Sequence, residues 1–172
     1  MSRPDPHICT RCAARGRTCC ELAGGDEEFC FPLSEGERAA ILAAGFDAAT
    51  MVRTPNTDAF VAQLGHLMPD QDIAAFFPRP GHHWRLAITD RGRCVFLGGS
   101  GCRLDRAIRP IYCKLFPFWL YRGQLTWFTA EECLAAIECA TAKDLERAMD
   151  VREPEIRELF QAMCAALGRN AR

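Results

Sequence analysis

The chain has 172 residues, 11 of them cysteine, and a formal net charge of -1. Its composition, 49% hydrophobic and 25% charged, excludes a disordered, collagen-like or coiled-coil chain. The near-zero charge also argues against a nucleic-acid partner. This length suits one domain, so we predict a single cysteine-cluster domain over residues 1–172 with a helical C-terminal tail over about 130–168.

The N-terminus shows no charged start followed by an apolar run, so no export signal is predicted. The most apolar stretch, 111–120, contains Lys114 and Pro117 and is far too short to span a bilayer. We therefore expect a cytoplasmic protein with no membrane partner. In a reducing cytosol, a cysteine-rich chain is more often metal-binding or catalytic than disulfide-bonded.

Helix signals appear on both sides of a central sheet region. The first cysteine block, 9–20, lacks apolar periodicity and predicts a loop. Ser34 and Glu37 form a capping box that predicts a helix over about 35–44. Asn56 or Thr57 is predicted to cap a second helix, and a short third helix is predicted to end before Pro78.

Two hairpins are predicted in the middle of the chain. Alternation from Trp84 to Ile88 indicates a strand, with 94–97 as its return strand. The runs 116–121 and 124–128, joined by Arg122-Gly123, indicate a second hairpin.

The C-terminal third is predicted to be helical. Thr129 is expected to cap a helix over about 130–140, Thr141 one over about 142–150, and Pro154 to open the last helix. The predicted fold class is therefore α+β: a small antiparallel sheet (two hairpins) with N-terminal and C-terminal helices around a cysteine-ligated metal site.

Most of the cysteines lie in blocks that suit metal ligation. Four thiolates hold a structural zinc ion, and the same donors hold iron–sulfur clusters. Candidate donors are Cys9, Cys12, Cys19, Cys20, Cys94, Cys102 and Cys113. Whether the adjacent Cys19 and Cys20 bind one metal or two is left open. Cys30 and Cys164 are interpreted as unligated thiols, and His82 and His83 as loop residues.

The charge pattern supports convergence of these blocks. Residues 1–20 and 91–114 hold ten of the 21 basic residues but only two of the 22 acidic ones. Arginines near sulfur lower thiol pKa values and donate hydrogen bonds to thiolates. Candidates for that role are Arg11, Arg15, Arg17, Arg103, Arg106 and Arg109. The alternative is a basic surface that faces solvent or attracts an anionic partner.

The cysteine pattern resembles that of a known family. Cys9-x-x-Cys12 followed by Cys19-Cys20, and Arg109-Pro110 before Cys113, resemble the YkgJ-like cysteine-cluster proteins, which are described as zinc- or iron-chelating. The resemblance covers the first 50 residues and about 84–139. It implies zinc or iron as the cofactor, including a 4Fe-4S cluster. The implied metal ligands are Cys9, Cys12, Cys19, Cys20, Cys94, Cys102, Cys113 and Cys133.

Two departures from the family pattern leave alternatives open. The spacing from Cys12 to Cys19 is longer than in the compact motif, so it is open whether both Cys19 and Cys20 are ligands. The family's last cysteine precedes Pro-Gly, which neither Cys133 nor Cys139 does; we choose Cys133 because it is closer to the second hairpin and hold Cys139 in reserve.

The function expected from the resemblance is metal binding without assigned catalysis. A related cysteine cluster occurs in bacterial flagellin lysine N-methylases. The alternative function is therefore an iron–sulfur redox component of a protein-modifying enzyme, such as a lysine N-methylase-like system. The sequence identifies neither a substrate nor a protein partner.

Overall fold

The computed structural model describes residues 7–16, 18–22 and 25–169, and the fold is α+β as predicted. The helices in this part of the chain are α1 (His7–Ala14), α2 (Glu35–Ala43), α3 (Asp58–Leu67), α4 (Ile73–Phe76), α5 (Ile111–Leu115), α6 (Leu134–Glu138), α7 (Ala142–Met149) and α8 (Glu153–Arg169). The strands are β1 (Met51–Pro55), β2 (His82–Leu86), β3 (Leu97–Gly98), β4 (Gly101–Cys102), β5 (Phe118–Tyr121) and β6 (Gln124–Trp127). They pair as β1-β2, β3-β4 and β5-β6, giving three antiparallel two-stranded sheets.

The described residues divide into two compact units. Unit 1 comprises those among 1–21 and 96–160, and unit 2 those among 22–95 and 161–172. Cys30, Cys94 and Cys164 belong to unit 2, and the other eight cysteines belong to unit 1. Among the helices described, none has the length and apolar character that a membrane span requires.

Unit 2 is built on the β1-β2 pair and α3. Met51 lies opposite Leu86, and Pro55 lies opposite His82. Thr57 caps α3 by accepting a hydrogen bond from the Phe60 N–H at 3.1 Å, as the sequence predicts. The core of this unit contains fully buried Phe60 and Ile41.

The first predicted hairpin is confirmed in part. The chain turns back after Thr89 and runs antiparallel to itself, with a bridge between Ile88 and Cys94 and a hydrogen bond from the Val95 N–H to the Ala87 carbonyl at 3.1 Å. The residues around Trp84, however, pair with β1. β1 was not predicted because its apolar residues are adjacent rather than alternating, which hides the period of two. His82 and His83 begin β2 and are therefore strand residues, contrary to the loop interpretation.

Unit 1 contains the second predicted hairpin, which is confirmed as β5 and β6. Arg122 and Gly123 have φ values of 49° and 74°, the left-handed pair that a two-residue turn of type I′ needs. Trp119 is 2% exposed, and its ring meets Phe160 edge-on with centroids 5.0 Å apart. Burial of the aromatic residues explains why this short hairpin is stable.

The helix caps predicted at Ser34, Thr57 and Thr141 are confirmed, whereas α1 and α5 were not predicted. Ser34 and Glu37 form the capping box of α2, and Thr141 caps α7. The loop predicted for the first cysteine block is wrong over α1, because Ile8 and Cys12 lie four apart and form one apolar helix face.

The helix predicted over 130–140 is also wrong at its start, because α6 begins only after Cys133. The preceding residues form a turn in which the Cys133 N–H donates to the Ala130 carbonyl at 3.0 Å. Cys133 consequently occupies the N-cap of α6 instead of lying inside a helix.

Candidate metal centre

The first two cysteines lie on α1 in unit 1. Their spacing of three places Cys9 and Cys12 about one turn apart on the same helix face. The Cys12 thiol donates a hydrogen bond to the Glu132 carbonyl oxygen at 3.5 Å. α1 packs against α6 and against β4, which carries Cys102. The fold therefore brings elements that carry cysteines from distant parts of the sequence against α1.

A tight turn from Thr18 to Glu21 presents the adjacent cysteines. The Glu21 N–H donates to the Thr18 carbonyl at 3.0 Å, and the Thr18 N–H donates to the Glu21 carboxylate at 2.6 Å. Buried Thr18 also accepts the Cys20 N–H on its hydroxyl at 3.2 Å. Cys19 and Cys20 thus occupy the two middle positions of a turn that is fixed at both ends.

The two thiols of this turn interact with each other and with their neighbours. A hydrogen bond between them raises the pKa of Cys19, and burial and then the sulfurs of Cys20, Cys133 and Cys9 raise it further. The same hydrogen bond lowers the pKa of Cys20, and the charge of Arg109 contributes to that lowering. The sulfurs of Cys9, Cys19, Cys20 and Cys133 are therefore within electrostatic range of one another.

Cys133 interacts electrostatically with Cys19 and also with Cys12. Burial raises the pKa of the Cys133 thiol, the N–H groups of Ala135 and Ala136 lower it in part, and the sulfur of Cys12 raises it again. Cys133 is 6% exposed at the N-terminus of α6, where the helix dipole favours a thiolate.

We call the interacting sulfurs the five-thiol group: Cys9, Cys12, Cys19, Cys20 and Cys133. Thiolates are the donors that zinc and iron–sulfur clusters prefer, so the donor chemistry fits either cofactor. All eleven cysteines lie in the described part of the chain, and none is joined in a disulfide. Over that same part, no group of three or more His, Cys, Asp or Glu side chains is placed to hold a metal ion.

The other sequence-predicted ligands lie on separate elements, and one of them, Cys139, also raises the pKa of Cys133. Cys102 is on β4, Cys113 is exposed on α5, and Cys139 ends α6. Cys94 belongs to unit 2. Cys164 is also in unit 2, and burial raises its pKa to about 11, which suits a protonated thiol.

The arginines differ from the sequence expectation in their partners. Arg11 and Arg15 form ion pairs with Glu138, at 2.7 and 3.8 Å. The charge of Arg109 lowers the pKa of Cys20, and Arg109 also donates to the Leu104 carbonyl at 2.8 Å. Arg17 lies outside the described residues. Glu138 was missed, since only its place beside Cys139 marks it in the sequence.

An open cavity of about 380 Å³ lies beside the group on the α1–α6 side of unit 1. It is lined by Cys12, Arg15, Glu131, Glu132, Leu134 and Ile137. Cys12 therefore contributes both to the five-thiol group and to the wall of this cavity.

Comparison of the chain with family models, curated proteins and solved structures gives no match. The resemblance to the YkgJ-like proteins consequently rests on the cysteine pattern alone.

Proposed function

We propose that unit 1 binds zinc or iron through cysteine thiolates and that metal binding is the biochemical function of this protein. The observation that supports it is the five-thiol group, whose members come from α1, the Thr18–Glu21 turn and the start of α6. When these thiols ionise, each thiolate raises the pKa of its neighbours. A bound cation removes that repulsion and favours the deprotonated ligands.

The donor set suits a closed centre. Zinc with four thiolates has no open position for water, so it would hold the three segments together without catalysing hydrolysis. Cys102 and Cys113 are further donors that belong to the same unit. The predicted role of Cys94 remains a proposal from the sequence. Because disulfide formation would consume the ligands, we propose a reducing cytoplasmic location.

An iron–sulfur centre is the second candidate, because the eight cysteines of unit 1 include the four thiolates that such a cluster needs. Such a cluster supplies electron transfer when bound. It would suit the redox component of a protein-modifying enzyme such as a lysine N-methylase-like system.

Anaerobic purification with metal analysis and an absorption spectrum tests the proposal and separates its two forms. Near-stoichiometric zinc in a colourless protein supports the structural centre, and iron with sulfide in a coloured protein supports the cluster. A protein that retains neither metal, even after anaerobic reconstitution with each, would contradict the proposal.

Paired variants then test the assignment of the ligands. We expect Cys9→Ser/Cys12→Ser to lose the metal, because both donors on α1 are removed together. The matched control is Cys30→Ser/Cys164→Ser, which removes two thiols of unit 2 and should keep the full metal content. Equal loss of metal in both double variants would show that the ligands are wrongly assigned.

A further inference from the structure

The Thr18–Glu21 turn has a feature that metal binding alone does not require. Cys19 is the exposed member of the five-thiol group, whereas Cys133 is buried and the others are partly covered. Its thiol is hydrogen-bonded to that of Cys20. The turn holds both residues in place through the Thr18 carbonyl and hydroxyl. The turn therefore holds two hydrogen-bonded sulfurs as a preformed pair, one of them on an exposed residue.

A disulfide between adjacent residues is less stable toward reduction than an ordinary disulfide. Consecutive Cα atoms are about 3.8 Å apart across a trans peptide bond, which is shorter than the roughly 4.4–6.8 Å that disulfides usually span. The bond is consequently strained and is readily reduced by ordinary thiols. Such a bond suits a reversible signal and is a poor structural cross-link.

We infer that Cys19 and Cys20 form a reversible disulfide in response to peroxide and that this disulfide releases the metal of unit 1. One sulfur takes an oxygen from hydrogen peroxide as the O–O bond breaks, and the first water leaves. The neighbouring sulfur then displaces that oxygen as a second water and forms the S–S bond. The two thiols lose two electrons and two protons, and one peroxide is reduced to two waters.

The consequence for the metal rests on the proposed function. A disulfide sulfur is no longer a thiolate ligand, so oxidation removes two donors of the five-thiol group at once. Within the five-thiol group only Cys9, Cys12 and Cys133 remain, so a closed zinc site built from this group loses the fourth donor that it needs. Reduction by a thiol such as glutathione restores both ligands and with them the capacity to bind metal.

Peptide mapping of the full-length protein tests the disulfide directly. Cleavage after Arg17 and Glu21 releases residues 18–21 as one peptide that contains Cys19 and Cys20 but not Cys30. After treatment of the zinc-loaded protein with stoichiometric peroxide, we expect this peptide to be lighter by two hydrogen atoms. A zinc-sensitive dye should report metal release in step with that change, and reduction should reverse both.

The outcomes separate this inference from the proposed function. If the reduced protein binds zinc but peroxide links Cys19 to Cys9 or Cys133, or leaves the pair unmodified, the switch is wrong and metal binding stands. If the disulfide forms in a protein that never binds metal, the proposed function fails and the link to metal release fails with it. Cys30→Ser is the control variant and should respond like the wild type.

Discussion

At the residue scale, His83 is a titratable side chain that is buried among apolar groups. It is 4% exposed, its ring stacks on Phe60 with centroids 3.8 Å apart, and its Nδ1 lies 2.9 Å from the Asn56 Oδ1. Asn56 donates through its amide nitrogen to the Pro78 carbonyl, which fixes the oxygen toward the ring. Nδ1 must therefore carry the proton, and the buried Nε2 has no hydrogen-bond partner.

This environment predicts a loss of stability on acidification. Burial lowers the pKa of His83 from 6.5 to about 4, with the charges of Arg85 and His82 contributing. The folded state keeps the ring neutral, so the unfolded chain binds the extra proton as the pH falls through this window. The contribution of the neutral His83 ring to stability is complete above pH 6.5. It is lost as the pH falls toward 4, and the free energy of unfolding then decreases by about 3 kcal/mol.

Urea unfolding of the metal-free protein between pH 7 and pH 4 measures this dependence. We expect His83→Gln to be less stable at neutral pH but to lose much less stability on acidification. His66→Gln is the matched control, because His66 is exposed on α3 and should keep the wild-type pH dependence. A pH profile of His83→Gln parallel to that of the wild type would show that another group is responsible.

At the element scale, the β5-β6 turn allows the free-energy cost of a positive φ to be measured separately from any steric clash. Gly123 has a φ of 74°, and a Cβ added there would meet no atom within 4 Å. Gly123→Ala should therefore destabilise the protein by about 1 kcal/mol through backbone strain alone. Gly99→Ala is the matched control, since Gly99 also faces open space but does not need a positive φ. Thermal unfolding measures both variants, and equal effects would contradict the assigned turn geometry.

The two ends of α6 predict which of its flanking cysteines binds metal. Cys133 caps the N-terminus, where helix N–H groups favour a thiolate, and it interacts with the five-thiol group. Cys139 caps the C-terminus, where the dipole disfavours a thiolate and where burial, Asp144 and Glu138 raise its pKa. We expect Cys133→Ser to lose metal and Cys139→Ser to retain it, as measured by metal content per chain. The reverse result would reassign the ligand to Cys139.

At the scale of the whole molecule, short-range signals were predictable and long-range pairings were not. The Ser34, Thr57 and Thr141 caps act within three or four residues, so the sequence displays them completely. The pairing of β1 with β2 joins segments about 30 residues apart and depends on burial that no local pattern shows. The sequence likewise identified the cysteines but did not show that Arg11 and Arg15 would pair with Glu138 instead of approaching sulfur.

The division into two units makes a prediction about how metal binding stabilises the chain. A ligand that binds only the folded state slows local and global opening, by up to about a hundredfold when its concentration is a hundred times Kd. We therefore expect metal to slow amide hydrogen exchange in α1, in the Thr18–Glu21 turn and in α6, all of which carry members of the five-thiol group.

The reference peptides for this exchange experiment come from unit 2. β1 and α3 contain no cysteine, so their amides should exchange at the same rate with and without metal. Mass spectrometry of the anaerobic protein, with and without a chelator, compares both sets of peptides in one sample. Equal protection of β1 and α3 would show that metal stabilises the whole chain as one cooperative unit, and unchanged exchange in α1 and α6 would remove the five-thiol group as the metal site.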